Sequence, residues 1–282
     1  MNSQKQVIVS GGFDDLKSCD LRFLEEASKL GELSVLLWPD ATLQRLNGNA
    51  PKFPLAERLY FMNAVRYVSR VLAAGDINNL DTLPKNLRAD VWADVSATAN
   101  PVRKQFAAEN QIAYHIFTAD ELLGFPEPAP MPSASGRKKV VATGCYDWFH
   151  SGHVRFTEEA STYGDLYICL GSDANVQLLK GEGHPLLSEQ ERRYVVGSIK
   201  FVKQALITTG TGWVDADPEI RRLKPDIYVV NEDGDKGGKR EYCQRQGIEY
   251  LILKRTPAPG LPARSSTDLR GQPRISPIKQ PH

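Results

Sequence analysis

Two histidines separated by a serine and a glycine, His150 and His153 in "GCYDWFHSGH" (residues 144–153), are the residues in this chain best spaced for chemistry. Three positions apart at the mouth of a helix, both imidazoles face one spot. Gly152 between them lets a ligand approach the backbone closely. A helix N-terminus there adds unpaired N–H groups and the positive end of a dipole. The expected chemistry is a cradle for a polyphosphate, with two donors able to follow charge as it develops on phosphorus.

Such a loop needs a strand behind it and a helix ahead of it. "KKVVATGCY" is β-rich and ends at a glycine turn, and "HVRFTEEAST" has helical apolar spacing. "DLYICLGS", "PDIYVVN" and "EYLILK" are short continuous apolar runs, as in strands buried on both faces. "SEQERRYVVGSIKFV" reads as a helix, with Ser188 as N-cap and Glu191 three residues on. Strands alternating with helices predict a parallel sheet covered on both sides, with ligands beyond the carboxyl ends of the strands.

The pattern occurs twice. At an offset of 133, "VIVSGGFDDLKSCDLRFLEEASKLGELSVLL" lies over "VVATGCYDWFHSGHVRFTEEASTYGDLYICL". One residue later in offset, Glu57 and Arg58 lie over Glu191 and Arg192. The first copy lacks the chemistry: Lys17, Cys19 and Asp20 stand where His150, Gly152 and His153 stand in the second, and Asn47 stands for Lys180. "LAERLYFMNAVRYVSRVL" in the first half predicts one long helix with an apolar stripe at Leu59, Met62, Val65 and Val68. The boundaries expected are a degenerate domain at 1–124, a Pro-rich linker at 125–138, a catalytic domain at 139–270 and a tail at 271–282.

Here the second half resembles the nucleotidyltransferase superfamily marked by H-x-G-H, and within it the cytidylyltransferase-like group. "GCYDWFHSGH" is similar to that group's first motif, with Tyr146 where phenylalanine is usual. "LLKGEGHPLLSEQERRYVVGSIKFV" follows its second, with Gly197 where arginine is common. "PDIYVVNEDGDKGGK" and "KRT…RSSTDLR" occupy the places of its third and fourth. The tandem arrangement resembles ethanolamine-phosphate cytidylyltransferase. The resemblance implies α/β architecture with two Rossmann-like, doubly wound parallel-sheet domains forming an intramolecular pseudo-dimer, and it leaves a further homodimer open.

It also implies in-line attack by a substrate phosphate on the α-phosphorus of a nucleoside triphosphate, with pyrophosphate leaving and no covalent enzyme intermediate. His150, His153 and Lys180 would be catalytic. Gly144, Tyr146, Gly152, Asp233, Arg255, Ser265, Ser266 and Thr267 would bind nucleotide, and Asp147 and Arg192 the second substrate. Mg²⁺ would come bound to the triphosphate, with no protein metal site. CTP and a small phosphorylated alcohol are the first expectation. An adenylyltransferase acting on a sugar or flavin-type phosphate stays open, as does a nucleotide-binding regulator without turnover.

Composition agrees with a globular protein: 282 residues, 41% hydrophobic, 24% charged and a formal net charge of +1. That balance speaks against a nucleic-acid binder, and no apolar run reaches the ~20 residues of a membrane span. The four cysteines, at 19, 145, 169 and 243, fit neither a zinc site nor a disulfide framework, so a reducing cytoplasm is expected.

Overall fold

The computed structural model describes residues 4–75, 79–134, 136–236, 238–266 and 269. The chain divides into two compact units, with the boundary between Gly124 and Phe125. The first contains β1 (Gln6–Gly11), α1 (Ser18–Ser28), β2 (Glu32–Leu37), α2 (Asp40–Asn47), α3 (Leu55–Ala64), β3 (Arg70–Ala73), β4 (Val91–Val95), α4 (Pro101–Glu109) and β5 (Ala113–Phe117). The second contains β6 (Lys139–Gly144), α5 (Ser151–Ser161), β7 (Asp165–Leu170), α6 (Asp173–Lys180), α7 (Glu189–Gly197), β8 (Val202–Ile207), α8 (Asp217–Leu223), β9 (Ile227–Asn231), α9 (Lys239–Gln246) and β10 (Glu249–Leu253).

Each unit is a five-stranded parallel sheet, ordered β3-β2-β1-β4-β5 in the first and β8-β7-β6-β9-β10 in the second. The order reverses at the first strand of each unit: β6 pairs with β7 on one side and β9 on the other. A crevice therefore opens beyond the carboxyl ends of β6 and β9, where the H-S-G-H loop begins. The inner strands β2, β6, β7 and β9 are apolar and buried over most of their length, whereas the edge strands carry exposed and polar positions. On one face of the second sheet Val141, Cys169, Tyr228 and Val230 pack under Ala216 and Ile220 at α8 and under Tyr242 and Cys243 of α9. Cys169 and Cys243 are buried, and burial raises both thiols above their ordinary value, so they act as apolar packing.

The structure corrects two helix expectations. The first-half run predicted as a single helix stops at Ala64, where Val65 turns to extended backbone, and Arg70–Ala73 becomes strand β3. In the second half α7 ends at Gly197 and Val202 opens β8. Apolar residues in these runs serve a helix and then an edge strand, and helical spacing alone does not separate the two.

The Pro-rich segment after Phe125 is fastened to the second unit. Glu127 pairs with Arg193 at 3.1 Å, Phe125 lies against Tyr194, and the Met131 N–H donates to the Lys203 carbonyl at 2.9 Å. A Cβ at position 197 would lie 2.8 Å from Pro128 Cγ, so Gly197 is what lets the segment lie flat on α7. Thr267 and the tail from 271 onward fall outside the described residues.

Candidate active site

His150 is the N-cap of α5, its backbone extended while the helix begins at Ser151. Its Nδ1 accepts the Gly152 N–H at 3.1 Å. Nδ1 is therefore the unprotonated nitrogen, and the proton of the neutral ring sits on Nε2. That Nε2 is buried and meets no partner among the described residues, and the same holds for Nδ1 of His153. The two rings lie 4.1 Å apart. Phe149 stacks on His153 at 5.2 Å, and Tyr146 adds a tilted contact at 5.3 Å. Burial, followed by the charges of Arg255 and Arg264, depresses His150 to about 4. Burial, then His150, Arg255 and Lys180, holds His153 well below its ordinary value. Both rings are neutral near pH 7, and both lie in a positive field that an anion would relieve. A Cβ on Gly152 would come within 2.9 Å of the His150 ring, so the glycine is required by the imidazole itself.

Two adjoining cavities open here. The first is bounded by the ends of β6 and β9, with His150, His153, Asn231, Asp233 and Lys239 among its polar walls. The second is bounded by Arg155, Lys254, Thr256, Arg264 and Ser265. Gly152, Phe156, Asn231 and Arg255 line both. Arg255 and Arg264 act on the imidazoles by charge, while Arg155 on α5 is paired with Glu158 and Glu159.

Several expected residues line these cavities: Gly144, Tyr146, Gly152, His150, His153, Asp233 and Arg255 in the first, Ser265 in the second. Arg255 is held by Asp233 and donates to the Arg264 carbonyl at 3.0 Å. Tyr146 contributes a mostly buried ring in a left-handed backbone, φ 54°. Ser266 donates to the Trp148 carbonyl at 3.2 Å and so ties the closing segment to the H-S-G-H loop. Lys180 lines neither cavity; exposed at the end of α6, it reaches the site through its charge on His153.

Two expectations are corrected. Arg192 is fully buried, and its guanidinium is spent on the Leu187, Cys145 and Gly171 carbonyls at 2.8–3.1 Å and on Asp173 at 2.7 Å. Four of its five N–H groups are used within a side chain that has no exposure, and the residue is a clamp joining three loops. Asp147 is likewise buried; its Oδ1 accepts the Leu186 and Leu187 N–H groups at 2.7 and 3.0 Å. It ties the loop after α6 to the H-S-G-H loop.

The first unit repeats these clamps. Arg58 donates to the Phe53, Gly12 and Trp38 carbonyls and pairs with Asp40, and Asp14 accepts the Lys52 and Phe53 N–H groups. Where the imidazoles would stand, Asp20 accepts the Lys17 N–H, and Lys52 pairs with Asp15. The frame is kept and the phosphate-binding groups are absent from it.

Sequence reasoning missed Arg155, Lys254, Arg264 and Lys239. Arg264 opens the quoted R-S-S-T and Lys254 the quoted K-R-T, so membership of those segments was an available signal. Lys239 closes the quoted third-motif segment and Arg155 lies within α5, where a lone cation reads as a solvated charge.

The sequence profile of the cytidylyltransferase-like family matches residues 141–271. The FAD synthase of Ferroglobus placidus is 36% identical over 120 residues, which span 42% of this chain and 75% of that protein. The chain belongs to the cytidylyltransferase-like nucleotidyltransferase superfamily. The bifunctional protein HldE of Aliarcobacter butzleri is 36% identical over 122 residues, 42% of this chain. Only 24% of that relative's length is matched, so the nucleotidyltransferase-like chain spans about a quarter of it. A lipopolysaccharide core biosynthesis protein from Thermoplasma volcanium aligns with 44% of the chain at 22% identity and a TM-score of 0.36. Among the described residues no helix is long and apolar enough to cross a membrane.

Proposed function

We propose that the second unit transfers a nucleotidyl group from a nucleoside triphosphate to a phosphorylated acceptor, releasing pyrophosphate. The observation that carries this reading is the pair of buried imidazole nitrogens, His150 Nε2 and His153 Nδ1, without partners among the described residues in a cavity that Lys239 and Arg255 also line. A neutral imidazole N–H aimed at a non-bridging oxygen gains strength as negative charge builds there, and its fixed position requires no reorganisation. Arg255 and Ser265, beside the second cavity, suit the β- and γ-phosphates. The reaction needs no protein nucleophile, because positioning and charge stabilisation supply the acceleration.

ATP is the favoured donor and a sugar or flavin-type phosphate the favoured acceptor. FAD is an adenosine phosphate joined to a flavin phosphate, and a relative named FAD synthase shares 36% identity over three-quarters of its own length. This displaces the initial preference for CTP and a phosphorylated alcohol. The cavity walls carry imidazole, ammonium, guanidinium and hydroxyl groups with the single carboxylates Asp233 and Glu159, and among the described residues no group of three His, Cys, Asp or Glu is placed for a cation. These residues fit an Mg²⁺ ion carried by the triphosphate oxygens, where it would neutralise phosphate charge.

The test is pyrophosphate release from ATP and from CTP against a panel of sugar, flavin and alcohol phosphates. Release with ATP that His150→Ala abolishes supports the reading. Absence of release with every pair, or release that His150→Ala leaves unchanged, overturns it.

A further inference from the structure

Lys239 is the first residue of α9 and lines the same cavity as His150 and His153. Its Nζ donates to the Gly234 carbonyl at 3.3 Å and meets no carboxylate at ion-pair distance among the described residues. The charges around it are Asp215, Asp235 and Lys236, and its stem is half-buried. An ammonium drawn partly out of water with only a long carbonyl contact is poorly compensated, and an incoming anion would correct that. Burial in fact holds Lys239 below the ordinary lysine value, opposed by Asp215. Among nearby cations, Arg192 is committed to carbonyls and Asp173, Arg255 has Asp233 as a partner and Arg240 has Asp235.

Its place in the cavity pair says which anion. Ser265 and Arg264 line only the second cavity, and Lys239 only the first, with Gly152 and Arg255 between. In-line displacement puts the attacking oxygen opposite the leaving group across the α-phosphorus. If the leaving pyrophosphate lies toward Ser265, the attacking phosphate arrives from the side of Lys239.

We propose that Lys239 binds the phosphate of the acceptor and orients its oxygen for attack. This rests on the nucleotidyl transfer proposed above. In the step, an acceptor phosphate oxygen forms a bond to the α-phosphorus. The bond from that phosphorus to the bridging oxygen breaks, and pyrophosphate departs with the electron pair. Lys239 stays protonated throughout and holds the two non-reacting acceptor oxygens.

The experiment uses the full chain as wild type, Lys239→Met and Lys239→Arg, each first shown by thermal melting to be folded. In steady-state pyrophosphate release with ATP and whichever acceptor turns over, Lys239→Met should raise the acceptor KM by about tenfold or more while the ATP KM stays within about twofold. Lys239→Arg should recover part of the loss. Equal rises in both KM values, or no rise in either, would overturn the assignment. A second arm does not depend on turnover: inorganic phosphate is titrated calorimetrically into the chain saturated with a non-hydrolysable ATP analogue. Phosphate should bind wild type and bind Lys239→Met at least about tenfold more weakly. Phosphate that binds both alike, or binds neither, sinks the role of Lys239. Silence in the turnover arm with a positive phosphate arm would instead remove the proposed reaction and leave Lys239 as an anion contact.

Discussion

Acidification should destabilise the second unit through His150, and the size of the effect follows from its surroundings. The ring is buried and neutral, with its value depressed to about 4 against 6.5 for the free side chain. On unfolding it regains the ordinary value, so between pH 6.5 and 4 the unfolded state binds a proton that the folded state refuses. The folded-state value is lowered for a basic group, which means that stability is present above 6.5 and falls as pH drops through this window. Going from pH 7 to pH 5 through His150 alone costs ~2 kcal/mol, from the two values and 1.36 kcal/mol per unit. For a unit of this size that is about 4–8 °C in Tm. Urea unfolding at pH 7 and pH 5, on wild type and His150→Gln, isolates the term because other titrating groups are common to both. The pH-induced loss should be smaller in the variant by ~2 kcal/mol, with any easing of His153 adding to the difference. Equal losses in the two proteins would refute the neutral, buried imidazole. A bound triphosphate should reverse the depression, so nucleotide binding should take up protons.

Gly152→Ala drives a Cβ to within 2.9 Å of His150 Cε1, so the ring must swing and its bond from the Gly152 N–H is lost. Turnover should fall by about 10² while melting changes by no more than the 1–3 kcal/mol of an overpacked site, and a variant with unchanged kcat would show that His150 is not held by this fit. His150→Ala or His153→Ala should each lower turnover by about 10² or more, whereas Lys17→Ala and Asp20→Ala should leave it nearly unchanged. Comparable losses from both pairs would mean that the first unit also carries a working site.

The alternation of apolar runs and amphipathic helices was readable in the sequence because a parallel sheet buried on both faces leaves its inner strands largely apolar. The H-S-G-H loop was readable because its spacing and following helix are local. Arg192 was not, since its carbonyl partners lie up to 47 residues away. Asp147 misled for a related reason: its amide partners, 39 and 40 residues on, lie in a loop with no pattern of its own. Lys239 follows an irregular acidic loop, and only the fold brings it under the imidazoles. The end of α3 at Ala64 was hidden because the residues past it remain apolar as they enter an edge strand.

The arginine and aspartate clamps of the two units hold their loops almost wholly through main-chain atoms: carbonyl oxygens on one side, amide hydrogens on the other. Every residue type except proline offers both. A loop shaped in this way places little demand on the side chains it displays. Selection can therefore erase or rewrite the reactive groups without unravelling the turn that carried them. A duplicated unit of this kind decays in its chemistry long before its architecture, and the silent copy stays available as a ready-shaped platform on which a different set of side chains could be installed.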